Sequence, residues 1–300
     1  MSDHPTAAIP VERRLAYSPI VDRPAPTLPH GARLALWLIV NVEHYEYLPP
    51  RNGYRDPWPS RPHPDLVNYA RRDYGNRVGI WRMLELLDRL RAAATISLNV
   101  AVLDDYPAIA AALAARPYDV MAHGIYNTRY AAGLDEEQER AMIVDAQQSV
   151  RRHLDRPVAG WLGPALTTTP HTMDLLAEAG VSYVGDFLHD DEIDEIEVAA
   201  GRLVSLPYSI HLNDSPLVGR SQHSGRTFAR LVREQFEERW WEGAQRPQIL
   251  AVCLHPYAIS TPARHAHLAE VLEYVLRHDG VVSVTGAELV EHHLAGAPRG

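Results

Sequence analysis

Several residues of this chain that can exchange protons stand directly after short apolar runs. Glu43 and His44 follow the run that begins at Leu34, His123 follows Tyr118–Ala122, and Asp186 follows Val181–Val184. Tyr208 and His211 come after Arg202–Leu206, His255 comes after Gln248–Leu254, and Trp161 closes Val158–Trp161. A carboxylate can take a proton from water, and an imidazole can return one to a departing nitrogen. That pairing suits hydrolysis by an activated water molecule. Each residue alone has an ordinary explanation as a helix cap, a surface group or a core histidine. As a set at strand ends they mark a site, because parallel α/β folds gather function there.

The elements that must position these groups alternate along the chain. Ala32–Val42 is nearly unbroken apolar sequence, as in a strand buried on both faces. Strands are predicted again at Thr95–Val100, Tyr118–Ala122, Val158–Trp161, Val181–Val184, Arg202–Leu206, Gln248–Leu254 and Val281–Val284. Between them helical spacing covers Arg77–Arg91, Asp105–Ala115, Asp135–Leu154, a segment from Thr169-Pro170 to Ala179, Arg226–Trp241, Pro262–Arg277 and Ala287–His293. Seven or eight such units predict an α/β fold, a distorted (β/α) barrel of about seven strands, with a doubly wound sheet as the alternative. Residues 1–30 are proline-rich and lack a period, which predicts an arm lying over the body or over a neighbouring subunit; residues 31–300 form a single domain. The irregular stretch His44–Asn76 is long enough to be functional. The acidic run Asp190–Glu197 reads as a solvated loop.

Composition narrows the class. The chain has 300 residues, 46% hydrophobic and 22% charged, with a formal charge of −9. That balance supports an ordinary core and argues against a nucleic-acid or anionic-membrane surface. One cysteine, Cys253, leaves no disulfide framework. The opening Met1–Pro5 lacks the basic-then-apolar signature of a secretory peptide. The expectation is a cytoplasmic protein acting on a small molecule, with no nucleic-acid or membrane partner.

His123-Gly124-Ile125-Tyr126-Asn127 and Val252-Cys253-Leu254-His255 resemble the second and last motifs of polysaccharide deacetylases. The likeness runs from about Ala32 to His293. Asp73–Arg82, Pro207-Tyr208 with Asn213-Asp214, and His255 with Pro262 and Arg264 resemble the allantoinase and cyclic-imide-hydrolase branch. The resemblance implies a polysaccharide-deacetylase-type barrel that hydrolyses a carbon–nitrogen bond, and a homo-oligomer.

The departures from the family pattern are informative. Asn41-Val42-Glu43-His44 stands where metal-dependent members have Thr-Phe-Asp-Asp, the base followed by a metal ligand. Glu43 keeps the base, and His44 with His123 could hold zinc. The second histidine of its motif is replaced by Asn127, a poor zinc ligand, and Trp161–Pro164 replaces the usual arginine. The expected site is therefore metal-free, with zinc on His44 and His123 as the alternative. Arg77 in a first helical turn opposes the macrodipole by roughly 0.3 kcal/mol, and Gly79 costs up to about 1 kcal/mol against Ala. Two local violations together suggest a purpose outside helix stability. The expectation is that Arg77 binds the substrate, an ion pair with Asp73 or Glu43 being its alternative.

The resulting assignment is an amidohydrolase of a small cyclic ureide, imide or amide, with Glu43 as base and His255 as acid. His123 and His44 polarise the carbonyl or hold a metal, and Asp186 orients a histidine. Arg77, Tyr208, Trp161, Asn127 and His211 contact substrate. A metal-dependent N-deacetylase of an amino sugar or acylated small molecule is one rival. A barrel that binds a ligand without turnover is the other.

Overall fold

The computed structural model describes residues 9–50 and 64–296. Residues 1–8, which include the Met1–Pro5 start, residues 51–63 of the His44–Asn76 stretch and the last four residues lie outside the described residues. The strands are β1 Leu34–Val42, β2 Thr95–Leu98, β3 Asp119–Ala122, β4 Gly160–Trp161, β5 Tyr183–Val184, β6 Asp194–Ile196, β7 Leu203–Ser205, β8 Gln248–Leu254 and β9 Val281–Val284. The helices are α1 Leu66–Tyr74, α2 Ile80–Leu90, α3 Ala101–Asp105, α4 Pro107–Ala114, α5 Glu136–Leu154, α6 Thr172–Glu178, α7 Gly225–Glu242, α8 Pro256–Ile259, α9 Pro262–Leu276 and α10 Gly286–Gly296. Two wide π-helical turns, Gly75–Gly79 and Ser215–Arg220, flank the ends of the central strands.

One sheet runs β6-β7-β5-β4-β3-β2-β1-β8, with β9 also on β1. β1 is its axis. β8 lies along Leu34–Val40 on one edge, while β9 takes Leu34–Trp37 and β2 takes Ile39–Val42 on the other. All pairs are parallel except β6 with β7. No ladder joins β7 to β8 among the described residues, and only Asn213 bridges to Cys253 there. The result is a distorted (β/α) barrel with an open seam.

Side-chain alternation builds two cores on either side of this sheet. Leu34, Leu36, Leu38, Val40 and Val42 of β1 face outward and pack under the helices with Leu250, Val252 and Leu254 of β8. Ala35, Trp37 and Ile39 face inward and fill the barrel with Met121, Leu162, Tyr183, Ile249, Ala251 and Cys253. Each fully buried Leu or Ile contributes roughly 1.5–3 kcal/mol. The polar end of Trp37 is satisfied by donating to Thr95 Oγ1 at 2.8 Å.

Three elements differ from the sequence reading. The acidic segment contributes a strand, β6, because Ile196 is buried and the segment pairs back on β7. This adds one strand to the eight predicted segments, giving a sheet of nine where a barrel of about seven was expected. The helix expected over Asp105–Ala115 is two helices, α3 and α4, divided at Tyr106 with Pro107 opening the second. Helix α1 occupies part of the stretch read as irregular. It has no fully buried residue, so no apolar period reveals it, and Asp65 caps it by accepting from Asn68 N at 3.2 Å.

The proline-rich N-terminal segment is anchored by Arg14. Its buried guanidinium donates to Asp174 Oδ2 at 2.6 Å and to the carbonyl of Glu197 at 2.8 Å. Helix α5 opens with a reciprocal cap between Asp135 and Gln138.

Candidate active site

The same alternation that fills the barrel carries past the strand ends. Inward positions Ile39, Met121 and Cys253 are followed two residues later by Asn41, His123 and His255, and Glu43 continues the β1 series. Glu43, His123 and His255 accordingly line one cavity of about 480 Å³ at the carboxyl end of the barrel, with Asn41, Arg72 and Tyr208. Glu43 and His255, expected as base and acid, face each other: His255 Nε2 is 3.3 Å from Glu43 Oε1.

Two carboxylates and two cations alternate across this site. Asp214 Oδ1 holds His255 Nδ1 at 2.6 Å, and Arg72 Nε reaches Glu43 Oε2 at 3.4 Å. Burial pushes the Glu43 carboxyl up, but His255, Arg72 and His123 together pull it down to about 2. Burial pushes the His255 imidazole down, and the charges of Asp214 and Glu43 more than reverse this, to about 9. Near neutral pH, therefore, Glu43 is ionised and His255 carries its proton. Burial raises Asp214, and the ring and backbone N–H of His255 offset part of that rise.

Glu43 is held from behind. Asn76 Nδ2 donates to its carbonyl at 3.0 Å. Asn76 sits in the wide turn Gly75–Gly79, which packs against α8 immediately after His255. A Cβ on Gly75 would lie 2.9 Å from Tyr257 N, and one on Gly79 would lie 2.2 Å from the Pro256 carbonyl oxygen. The glycines of Gly75–Gly79 thus let the Glu43 and His255 supports touch. Arg72, one turn earlier, is clamped between the rings of Tyr45 and Tyr257, 3.8 and 4.5 Å from their centroids. Buried Asn99 ties β1 to β3, accepting from His44 N at 2.9 Å and donating to the His123 carbonyl.

His123 Nδ1 faces the Leu162 carbonyl at 2.7 Å and must donate to it, since a carbonyl only accepts. Burial lowers this imidazole's pKa, so it is neutral and Nε2 is left as an acceptor. A neutral acceptor cannot polarise a carbonyl, which corrects that part of the expected role; it can orient a water molecule. Asn127 lines the same cavity, donates to Tyr45 Oη at 3.1 Å, and leaves its buried Oδ1 without a hydrogen-bond partner among the described residues. Tyr208 Oη is 3.5 Å from Asn41 Oδ1 and accepts from Asn213 Nδ2 at 3.2 Å.

Five expected residues are placed elsewhere. His44 falls on the outward side of β1, where Nε2 meets Asp105 at 2.9 Å among Tyr69, Tyr106 and Tyr126. Trp161 is outward on β4 and packs in the outer core. Asp186, one residue past inward Gly185, accepts from Gly163 N at 2.7 Å and orients no histidine; burial raises its pKa to about 7. Arg77 points to solvent, 69% exposed, with Asp73 Oδ2 at 2.6 Å, which is the ion pair held as its alternative. His211 is exposed on a separate concavity of about 630 Å³ between the N-terminal segment and the acidic segment. The residues that sequence reasoning left without roles are Asp214, Arg72, Asn76 and Asn99.

The donors do not match a zinc site. His44 is turned away from the cavity, Asn127 offers an amide, and no three His, Cys, Asp or Glu side chains among the described residues are grouped to hold a metal ion. No helix among the described residues is long and apolar enough to cross a membrane.

Comparison with known proteins agrees with the sheet. The sequence family described as Polysaccharide deacetylase matches residues 67–184. A Schizosaccharomyces pombe (strain 972) protein, named by inference as a polysaccharide deacetylase, is 22% identical over 298 residues, covering 90% of this chain and 93% of that protein. A Pseudomonas aeruginosa PAO1 structure, also named by inference as a polysaccharide deacetylase, is 25% identical with a TM-score of 0.80, covering 93% of this chain and 97% of that one. The structure of Puue allantoinase shares the fold at 24% identity and a TM-score of 0.79, with both chains covered in full. The matched segment carries His123 and the strands on either side of it: residues 67–184 match the polysaccharide deacetylase family, and the chain as a whole shares the fold of these structures.

Proposed function

We propose that this protein hydrolyses a non-peptide carbon–nitrogen bond of a small cyclic ureide, imide or amide, without a metal ion. The observation that carries the reading is the row Asp214–His255–Glu43, with contacts of 2.6 and 3.3 Å, opening on one cavity. A carboxylate kept ionised and an imidazolium kept protonated are the two forms that base and acid roles require.

The Glu43–His255 contact is longer than the 2.7–2.9 Å of a tight charge-assisted bond. Substrate and water insert there. His123 Nε2 accepts one hydrogen of the water, Glu43 takes the other as oxygen attacks the carbonyl carbon, and Tyr208 Oη donates to the carbonyl oxygen as it gains charge. His255 then gives its Nε2 proton to the nitrogen as the C–N bond breaks, yielding a carboxylic acid and an N–H. Losing the imidazolium removes the charge that held Glu43 low, so the carboxyl keeps its proton until products leave. The emptied site brings Oε1 back to Nε2, and the proton returns to His255. Each acid–base role is worth about 10²–10⁴-fold.

Puue allantoinase shares the fold, and the donor set favours the cyclic-ureide branch over a metal-dependent N-deacetylase. The discriminating experiment assays allantoin, hydantoin and succinimide beside N-acetylated sugars, each with and without chelator. Turnover of a ureide or imide that survives chelation, and falls at least about 100-fold in Glu43→Gln, is expected. Activity confined to N-acetyl sugars and abolished by chelator would overturn the reading, as would a fully active Glu43→Gln enzyme.

A further inference from the structure

Two arginines line the catalytic cavity, Arg72 and Arg220. Arg72 is answered by Glu43, and His255 is answered by Asp214 and Glu43. Arg220 is exposed at the end of the wide turn Ser215–Arg220, and no carboxylate, carbonyl or ring among the described residues partners its guanidinium. The chain carries 38 acidic residues against 29 basic ones, so an unpaired cation at the cavity is not a consequence of composition.

The turn that bears Arg220 is tied into the cavity wall. Arg71 Nη2 donates to the Gly219 carbonyl at 2.9 Å, Ser215 N donates to Asn213 Oδ1 at 2.9 Å, and Ser215 Oγ lies 3.3 Å from Tyr257 Oη. Val218 is buried beneath it. A wide helical turn of this kind is a recurrent device for placing a functional side chain. Deeper in the same cavity, Asn127 Oδ1 is a buried acceptor awaiting a donor.

We propose that Arg220 is the specificity residue for an anionic substituent, and that the substrate is a small ureide or amide bearing a carboxylate. The N–H of the reacting group meets Asn127 Oδ1, and the carboxylate meets the Arg220 guanidinium, a pairing whose fork geometry suits two parallel hydrogen bonds. A cavity of about 480 Å³ accommodates a molecule of this size. This rests on the hydrolase reading only for the identity of the reacting end.

The test is calorimetric binding of hydantoin-5-acetate and of its methyl ester, which lacks the charge and adds one methyl group, to wild type, Arg220→Ala, Arg220→Lys and Arg220→Glu. Wild type is expected to prefer the acetate at least about tenfold, with the preference shrinking as salt rises. Arg220→Ala abolishes the preference, Arg220→Lys keeps part of it, and Arg220→Glu inverts it. A preference that persists in Arg220→Ala, or a wild type that does not favour the acetate (including one that binds neither compound), overturns the proposal. Repeating the titration in Glu43→Gln separates the two readings: if that variant still turns over substrate the hydrolase assignment fails, while the charge preference continues to report on Arg220.

Discussion

Asp214 grips His255 twice, accepting its Nδ1 at 2.6 Å and its backbone N–H at 2.9 Å. One carboxylate therefore sets both the ring's tautomer and the position of the main chain that carries it. It also supplies much of the field that keeps the imidazole protonated. Asp214→Asn preserves size and one hydrogen bond but removes the charge. The expected result is a fall in kcat of about 10²–10⁴-fold, with the alkaline limb of kcat/KM displaced toward neutral pH. A pH–rate profile of the variant that superimposes on the wild-type profile would remove Asp214 from this role.

The wild-type profile follows from the two shifted groups. His255 works protonated and is raised to about 9, so kcat/KM should be level through neutral pH and fall as pH rises through about 9. Glu43 works ionised and is lowered to about 2, so it imposes no limb in the usual working range. Stability carries the same signs. The His255 contribution is fully present below its ordinary value near 6.5 and is lost as pH rises through about 9. The Glu43 contribution is present above about 4.5 and is lost as pH falls through about 2. Urea unfolding midpoints across pH 6 to 10 should therefore decline on the alkaline side. A midpoint that rose there would contradict the buried, charged His255.

Arg72 and Arg77 make opposite forecasts although five residues apart. Arg72→Ala strips Glu43 of its guanidinium and empties the slot between Tyr45 and Tyr257; kcat/KM is expected to fall more than about tenfold, the scale of losing one charged hydrogen bond. Arg72→Lys keeps the charge but cannot lie flat between the rings, so it recovers only part of that loss. Arg77→Ala removes an exposed i,i+4 pair that solvent screens, and leaves turnover within about twofold. Equal effects of the two alanines would mean that the guanidinium beside Glu43 does no electrostatic work.

The order of strands and the identities of Glu43 and His255 were legible because apolar runs ending in polar residues survive any detail of packing. Which strand-end residues face inward was also legible, through alternation, but requires carrying the period of two past the last hydrogen bond of each strand. Trp37, Ile39 and Asn41 point inward, so Glu43 does and His44 does not. Tyr183 points inward, so Gly185 does and Asp186 does not, and Trp161 is outward while Leu162 is inward. Alternation thus assigns His44, Trp161 and Asp186 to the outer layer. Arg72 was not reachable in that way. It lies on a helix whose residues are all at least partly exposed, set in a proline-rich stretch, and its partner is 29 residues away. Asp214 was visible as a residue type, but its role depends on the chain crossing the open seam to reach β8.

Gly79 breaks a local helix rule, and the structure gives it a cause that can be tested by sign. In an exposed helix, glycine to alanine gains up to about 1 kcal/mol. At Gly79 the added Cβ would sit 2.2 Å from the Pro256 carbonyl oxygen and 2.8 Å from its carbon, both backbone atoms that cannot swing aside. Gly79→Ala should therefore destabilise by about 1–3 kcal/mol, as other overpacked contacts do. Because Pro256 follows His255 directly, the displaced backbone should also lower kcat more than it raises KM. Gly296→Ala, where the new methyl meets nothing within 4 Å, is the matched control and should shift the urea midpoint little. Stabilisation by Gly79→Ala would show that the wide turn Gly75–Gly79 and α8 are not in contact as described, and would remove the physical link between the support of Glu43 and that of His255.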